Sequence, residues 1–167
     1  MKSTPETEKQ ELVARLTAAR SEVLAAALAL PPAAQEEPLL GVWSAHNIVA
    51  HLIGWDHANL EAVEAIRGGH LPAFYAAYDP GWRTFNAGLV TRHKHPTLEQ
   101  TALDARASHR ALIETLEALP AGELSRDYGI RSVRGRRVTI AMLLTVEARD
   151  EHKHAGQIRV FAAQRKE

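Results

Sequence analysis

Apolar residues recur every three to four positions in four long stretches of this chain, the period of helices with one buried face. Leu12, Leu16, Ala19, Val23, Ala26 and Leu30 form the first stripe. They predict a helix from about Pro5 to Leu30, stopped by Pro31-Pro32. A loop over 33–41 follows. Ser44 is placed to cap a second helix carrying Ile48, His51, Leu52, Trp55, Leu60, Val63 and Ile66, which ends at Gly68-Gly69. Residues 70–80 read as a connector that folds over one end of a bundle. A short helix is expected from Pro80 to Arg92. Thr97-Leu98-Glu99-Gln100 fits a capping box, opening a helix with Leu98, Ala102, Ala105, His109, Leu112, Ile113 and Leu116 on one face and its end at Leu119-Pro120. Residues 121–138 read as a long connection, with some extended structure from Ile130 to Val138. Thr139 is placed to cap a last helix reaching Gln164.

The expected fold is therefore all-α: a four-helix bundle with long crossover connections and a short extra helix. Two connections are too long for a plain up-down series. With no repeat and no break in composition, residues 1–167 are expected to form a single domain.

Composition narrows the function. Lys plus Arg and Asp plus Glu both number 20, so the formal charge is zero. A nucleic-acid partner is not expected, because such binding needs a basic surface; the arginines between 131 and 137 read as a solvated loop. No apolar run approaches the ~18 residues of a membrane span, and the first residues carry no apolar leader segment. The expectation is a cytoplasmic protein with no membrane partner. There is no cysteine, so any metal must be held by nitrogen and oxygen, and any thiol chemistry must use a small-molecule thiol.

The chemistry concentrates in Arg149-Asp150-Glu151-His152-Lys153-His154-Ala155-Gly156-Gln157-Ile158. Asp150 and His154 stand one helical turn apart, on one face. With His51 from the second helix they make a facial nitrogen–oxygen–nitrogen set for one divalent ion, leaving positions open for water or substrate. A plainer arrangement uses the same residues: a core His51 bonded to a backbone carbonyl or to a carboxylate such as Asp150, with no metal. His152 should point away from this face. Glu147 is a candidate extra ligand or base and Glu151 a candidate base, or both belong to a solvated, salt-bridged stripe. Gln157 can orient His154 or contact substrate. Trp55, Tyr78, Trp82 and Asn86 are candidate substrate contacts, or simply a packed lid.

The stretch from Trp43-Ser44-Ala45-His46-Asn47 to His51-Leu52-Ile53-Gly54-Trp55, with His154-Ala155-Gly156-Gln157-Ile158, resembles the DinB-like four-helix-bundle superfamily over nearly the whole chain. That group includes mycothiol-dependent maleylpyruvate isomerases, bacillithiol transferases and the ClbS/DfsB proteins. The resemblance implies metal ligands at His51 and His154 and a third one turn before His154. That third position is often His; here it is Asp150, closer to the Glu of the isomerase type and one methylene shorter. Phe85-Asn86-Ala87, Arg92, Leu98-Glu99-Gln100 and Leu116-Glu117-Ala118-Leu119-Pro120 resemble the ClbS/DfsB branch, some of whose members hydrolyse a reactive small molecule without a metal. The function implied is a hydrolase or small-thiol transferase using Zn or Ni, acting on an electrophilic small molecule in detoxification or stress response. The alternatives are a metal-independent ClbS/DfsB-like hydrolase and a non-catalytic, sequestering bundle. A homodimer is also implied.

Overall fold

The computed structural model describes residues 3–165. Four long helices form a bundle: α1 (Pro5–Leu28), α3 (Ala45–Arg67), α5 (Leu98–Ala118) and α7 (Ile140–Gln164). Between them lie α2 (Pro32–Gln35), α4 (Phe74–His93) and α6 (Ala121–Leu124). The caps fall where the sequence places them. Ser44, Thr97 and Thr139 accept bonds from the backbone N–H groups of Asn47, Gln100 and Met142, and Gln100 closes the capping box.

The directions of the helices follow from which ends pack together. Leu12 and Leu16 of α1 cluster with Ile140 and Leu144 at the start of α7, and with Val63, Ile66, Leu112 and Leu116 at the ends of α3 and α5. Val23, Leu24 and Ala27 cluster with Ala155 and Ile158 at the other end of α7, and with the first turns of α3 and α5. So α1 and α7 run one way, and α3 and α5 the other. Two successive parallel helices need a return path, and α4 is that path. Its 20 residues span about 30 Å at 1.5 Å per residue.

Three expectations are corrected here. Helix α1 ends at Leu28, with Ala29 as its cap. The 33–41 loop begins with the short helix α2. The supposed connector over 70–80 is mostly helix: α4 starts at Phe74, carries Pro80 inside and kinks at Gly81 (φ −162°, ψ 66°). Proline lacks the N–H that continues a helix, but the turn before it is held by packing. Trp55 of α3 gathers Phe74, Tyr78 and Phe85 around its ring at centroid distances of 5.3, 5.5 and 5.3 Å. The expected extended structure near 130–138 is one antiparallel bridge, Arg131 to Arg137, around a turn at Gly135. Among the described residues, no helix is long and apolar enough to cross a membrane.

The two apolar clusters are separated by a polar layer. Arg20 of α1, Asp56 of α3, Ser108 and His109 of α5, and Glu147 and Glu151 of α7 are all buried there.

Candidate functional site

His51 and His154 meet edge to face across the α3–α7 contact, ring centroids 5.2 Å apart and planes at 90°. Each ring is held by its Nδ1. His51 Nδ1–H donates to the Ile48 carbonyl at 2.5 Å, and His154 Nδ1–H donates to the Gln157 side-chain oxygen at 2.7 Å. These bonds fix the tautomer and leave each Nε2 with its lone pair; among the described residues neither Nε2 has a hydrogen-bond partner within the chain. Trp43 packs edge-on against His51 at 4.8 Å. Burial lowers the pKa of His51 to about 3, helped by the neighbouring His154. Burial lowers that of His154 as well, against the Gln157 bond and the Asp150 charge. Both rings are neutral at pH 7, the form that ligates a metal.

Asp150 makes no hydrogen bond to this pair, although its charge acts on His154. Its side chain is 53% exposed and reaches only Arg149, at 3.5 Å. The His51 partner is thus a backbone carbonyl and not Asp150. His152 does point away, to Glu22 at 3.0 Å. Among the described residues, the group of three potential ligands whose atoms all fall within 4.8 Å of one another is Asp56, His109 and Glu151.

Glu147 and Glu151 do not form a solvated stripe; both are buried, because α7 packs against its neighbours along this face. Glu151 takes two bonds from Arg20, Nε to Oε2 at 2.9 Å and Nη2 to Oε1 at 2.7 Å. Arg20 also donates to both oxygens of Asp56, at 2.8 and 3.0 Å, and to the Ala105 carbonyl at 2.8 Å. All five N–H groups of the guanidinium are used. Ser108 adds a bond to Asp56 at 2.5 Å. Burial pushes the Glu151 carboxyl up, opposed by Arg20. Glu147 Oε1 is buried without a partner. Burial, with Glu151 and Asp56 beside it, holds its carboxyl well above the usual carboxylate range.

The aromatic candidates divide. The Trp55 indole N–H donates to the Asn86 side-chain oxygen at 2.9 Å, and Asn86 donates to the Trp82 carbonyl at 2.9 Å. Tyr78 packs on Trp55. Burial raises the Tyr78 pKa, and the charges of Asp150 on α7 and Asp79 on α4 raise it further. The Trp82 ring is half exposed, with the Arg83 guanidinium 4.4 Å above it. Gln157 holds His154.

A family model described as the DinB superfamily matches residues 15–158. The chain belongs to the DinB superfamily. No curated protein and no solved structure matches it significantly. In this DinB-superfamily protein the sequence reading missed Arg20, Asp56 and the part played by His109. His109 was legible only as one polar residue on the apolar stripe of α5. Asp56 follows Trp55 with no spacing that links it to a partner. Nothing in the sequence joins either to Arg20, because the three come from different helices.

Proposed function

We propose that the protein binds one divalent ion on His51 and His154, with Asp150 as third ligand, and acts as a hydrolase or small-thiol transferase on an electrophilic small molecule. The observation that carries this reading is the pair of neutral imidazoles from two helices, each anchored through Nδ1 and each keeping an open Nε2. A buried imidazole without a second use for that lone pair gains nothing from such an arrangement. A bound Zn²⁺ or Ni²⁺ would lower the pKa of a coordinated water or thiol to about 7 and so supply a nucleophile at neutral pH. Asp150 lies one turn before His154 and is free to turn, because its carboxylate makes only the long Arg149 contact. Gln157 and the Ile48 carbonyl orient the two rings. Glu147, whose carboxyl pKa is raised by burial, is suited to giving a proton to a leaving group. Glu151 is committed to Arg20 and serves to position. Trp55, Tyr78 and Asn86 would wall the substrate. The chain has no cysteine, so a transferred thiol must arrive as a small molecule.

A second reading is favoured by the exposure of Asp150, whose carboxylate reaches only Arg149. In it the protein is a metal-independent hydrolase of the ClbS/DfsB kind, or a bundle that sequesters its ligand. Elemental analysis of untagged, Zn²⁺- or Ni²⁺-loaded protein separates the two. About one ion per chain fewer in His154→Ala than in wild type, while the helical circular dichroism persists, supports the first. Metal content unchanged in that variant sinks the proposed ligand set, and no metal under any loading favours the second reading. Met142, Val146 and Val160 are exposed on one face of α7, which supports the homodimer that the resemblance implies; sedimentation velocity tests it.

A further inference from the structure

We propose that Asp56, His109 and Glu151 form a second, internal site for a divalent cation, separate from the His51–His154 pair. Their ligand atoms all lie within 4.8 Å of one another. Donors about 2.1 Å from one small ion stand up to roughly 4.2 Å apart, so the side chains have little distance to close. The His109 ring is 8% exposed and neither of its nitrogens has a hydrogen-bond partner. A buried polar group left in that state costs ~1–3 kcal/mol, which a metal–nitrogen bond would offset.

The carboxylates have the capacity. Arg20 spends its five N–H groups on one lone pair of Asp56 Oδ1, one of Oδ2, one of each Glu151 oxygen and the Ala105 carbonyl. Ser108 takes the second lone pair of Asp56 Oδ2. Asp56 Oδ1 and both Glu151 oxygens each keep one lone pair free. Charge points the same way: Asp56, Glu151 and Glu147 face one guanidinium in this layer. A divalent ion offsets the negative charge that one arginine leaves unbalanced on Asp56 and Glu151. One nitrogen and two oxygen donors, with no sulfur, suit Zn²⁺, Fe²⁺ or Co²⁺. Arg20 would then orient both ligand carboxylates from the other side.

The test uses the full chain with the outer pair removed, His51→Ala with His154→Ala, refolded with Zn²⁺ or Co²⁺ and desalted. The proposal expects about one ion per chain by elemental analysis and a visible Co²⁺ absorption. Adding His109→Gln should remove both while helicity and the unfolding midpoint of the metal-free protein stay as they were; His109→Ala serves if the Gln variant fails to fold. A folded outer-pair variant that holds no ion overturns the proposal and leaves His109 facing an internal water only. An ion that survives both His109 substitutions overturns it too. Failure of the outer site reads differently: wild type and outer-pair variant would then hold the same single ion.

Discussion

Gly54 of α3 and Leu89 of α4 touch so closely that a Cβ at position 54 would lie 2.7 Å from Leu89 Cδ2 and 2.8 Å from its Cβ. Leu89 is the one buried residue of α4, so this contact is the main seat of the crossover helix. A methyl group there must push α4 away. Gly54→Ala gains helix propensity, worth up to ~1 kcal/mol, but overpacking costs typically 1–3 kcal/mol. The variant should unfold at lower temperature and show greater accessibility of the Trp55 indole to a fluorescence quencher. An unchanged midpoint and unchanged quenching would show that α4 is not seated by this contact.

Among the described residues, Arg20 is the cation that pairs with both Asp56 and Glu151. Removing one partner of a buried ion pair strands the other charge and costs roughly 3–5 kcal/mol, a large part of a typical 5–15 kcal/mol stability. Arg20→Ala should therefore lower the thermal midpoint by about 10 °C or leave the chain unfolded. Calorimetry checks it, and a loss of less than about 1 kcal/mol would mean that water replaces the guanidinium at little cost.

Burial, with Glu151 and Asp56 beside it, raises the pKa of the Glu147 carboxyl well above its ordinary value. Its native pKa lies above the unfolded value, so between the two values the native state holds a proton that the unfolded chain has released. That term favours folding least at high pH: it is complete below the unfolded pKa of about 4.3 and is lost as pH rises towards the native pKa. Glu147→Gln keeps the shape and removes the titration. Relative to wild type the variant should be more stable at pH 8 than at pH 5, read as the difference in unfolding midpoints. A difference independent of pH would show that Glu147 is ionised in the native state.

His51 has the opposite sign. Its native ring stays neutral down to about pH 3, whereas the unfolded chain takes up that proton near 6.5. The unfolded state binds more protons between those values, so this contribution is whole above pH 6.5 and is lost as pH falls through the window. His109, with a pKa lowered by burial to about 4, acts in the same sense. Proton NMR should show no titration of the His51 ring above pH 4.5. A midpoint close to 6.5 would contradict the buried, Ile48-bonded geometry.

Zn²⁺ that binds only the native chain raises stability by about 2.7 kcal/mol at 100 times its dissociation constant. For a domain of this size that is a shift of roughly 5–10 °C. The shift should shrink in His51→Ala and His154→Ala. An equal shift in wild type and both variants would place the binding elsewhere.

Local signals carried much of this protein in its sequence. Apolar periodicity and the caps at Ser44, Thr97 and Thr139 placed the four long helices, because helix faces and caps are set by residues within four positions of each other. Long connections announced a crossover. The same spacing put His51 on the inner face of α3 and Asp150 with His154 on one face of α7. Helix α4 was misread over 70–80, since Pro80 and the scattered aromatics look like a connector until Trp55 of α3 is there to gather them.

What only the tertiary structure decided is which polar groups share a layer. Arg20, Asp56, His109 and Glu151 sit on four helices and have no mutual spacing in sequence; their contacts exist because α1 and α7 run together against α3 and α5. The same packing separates neighbours on one helix. Asp150 is left largely exposed, Glu151 is locked to Arg20, and one step of about 100° around α7 sends adjacent carboxylates into different dielectric surroundings. Sequence sets the order of side chains along each helix, but burial and charge balance depend on what the other helices bring opposite them.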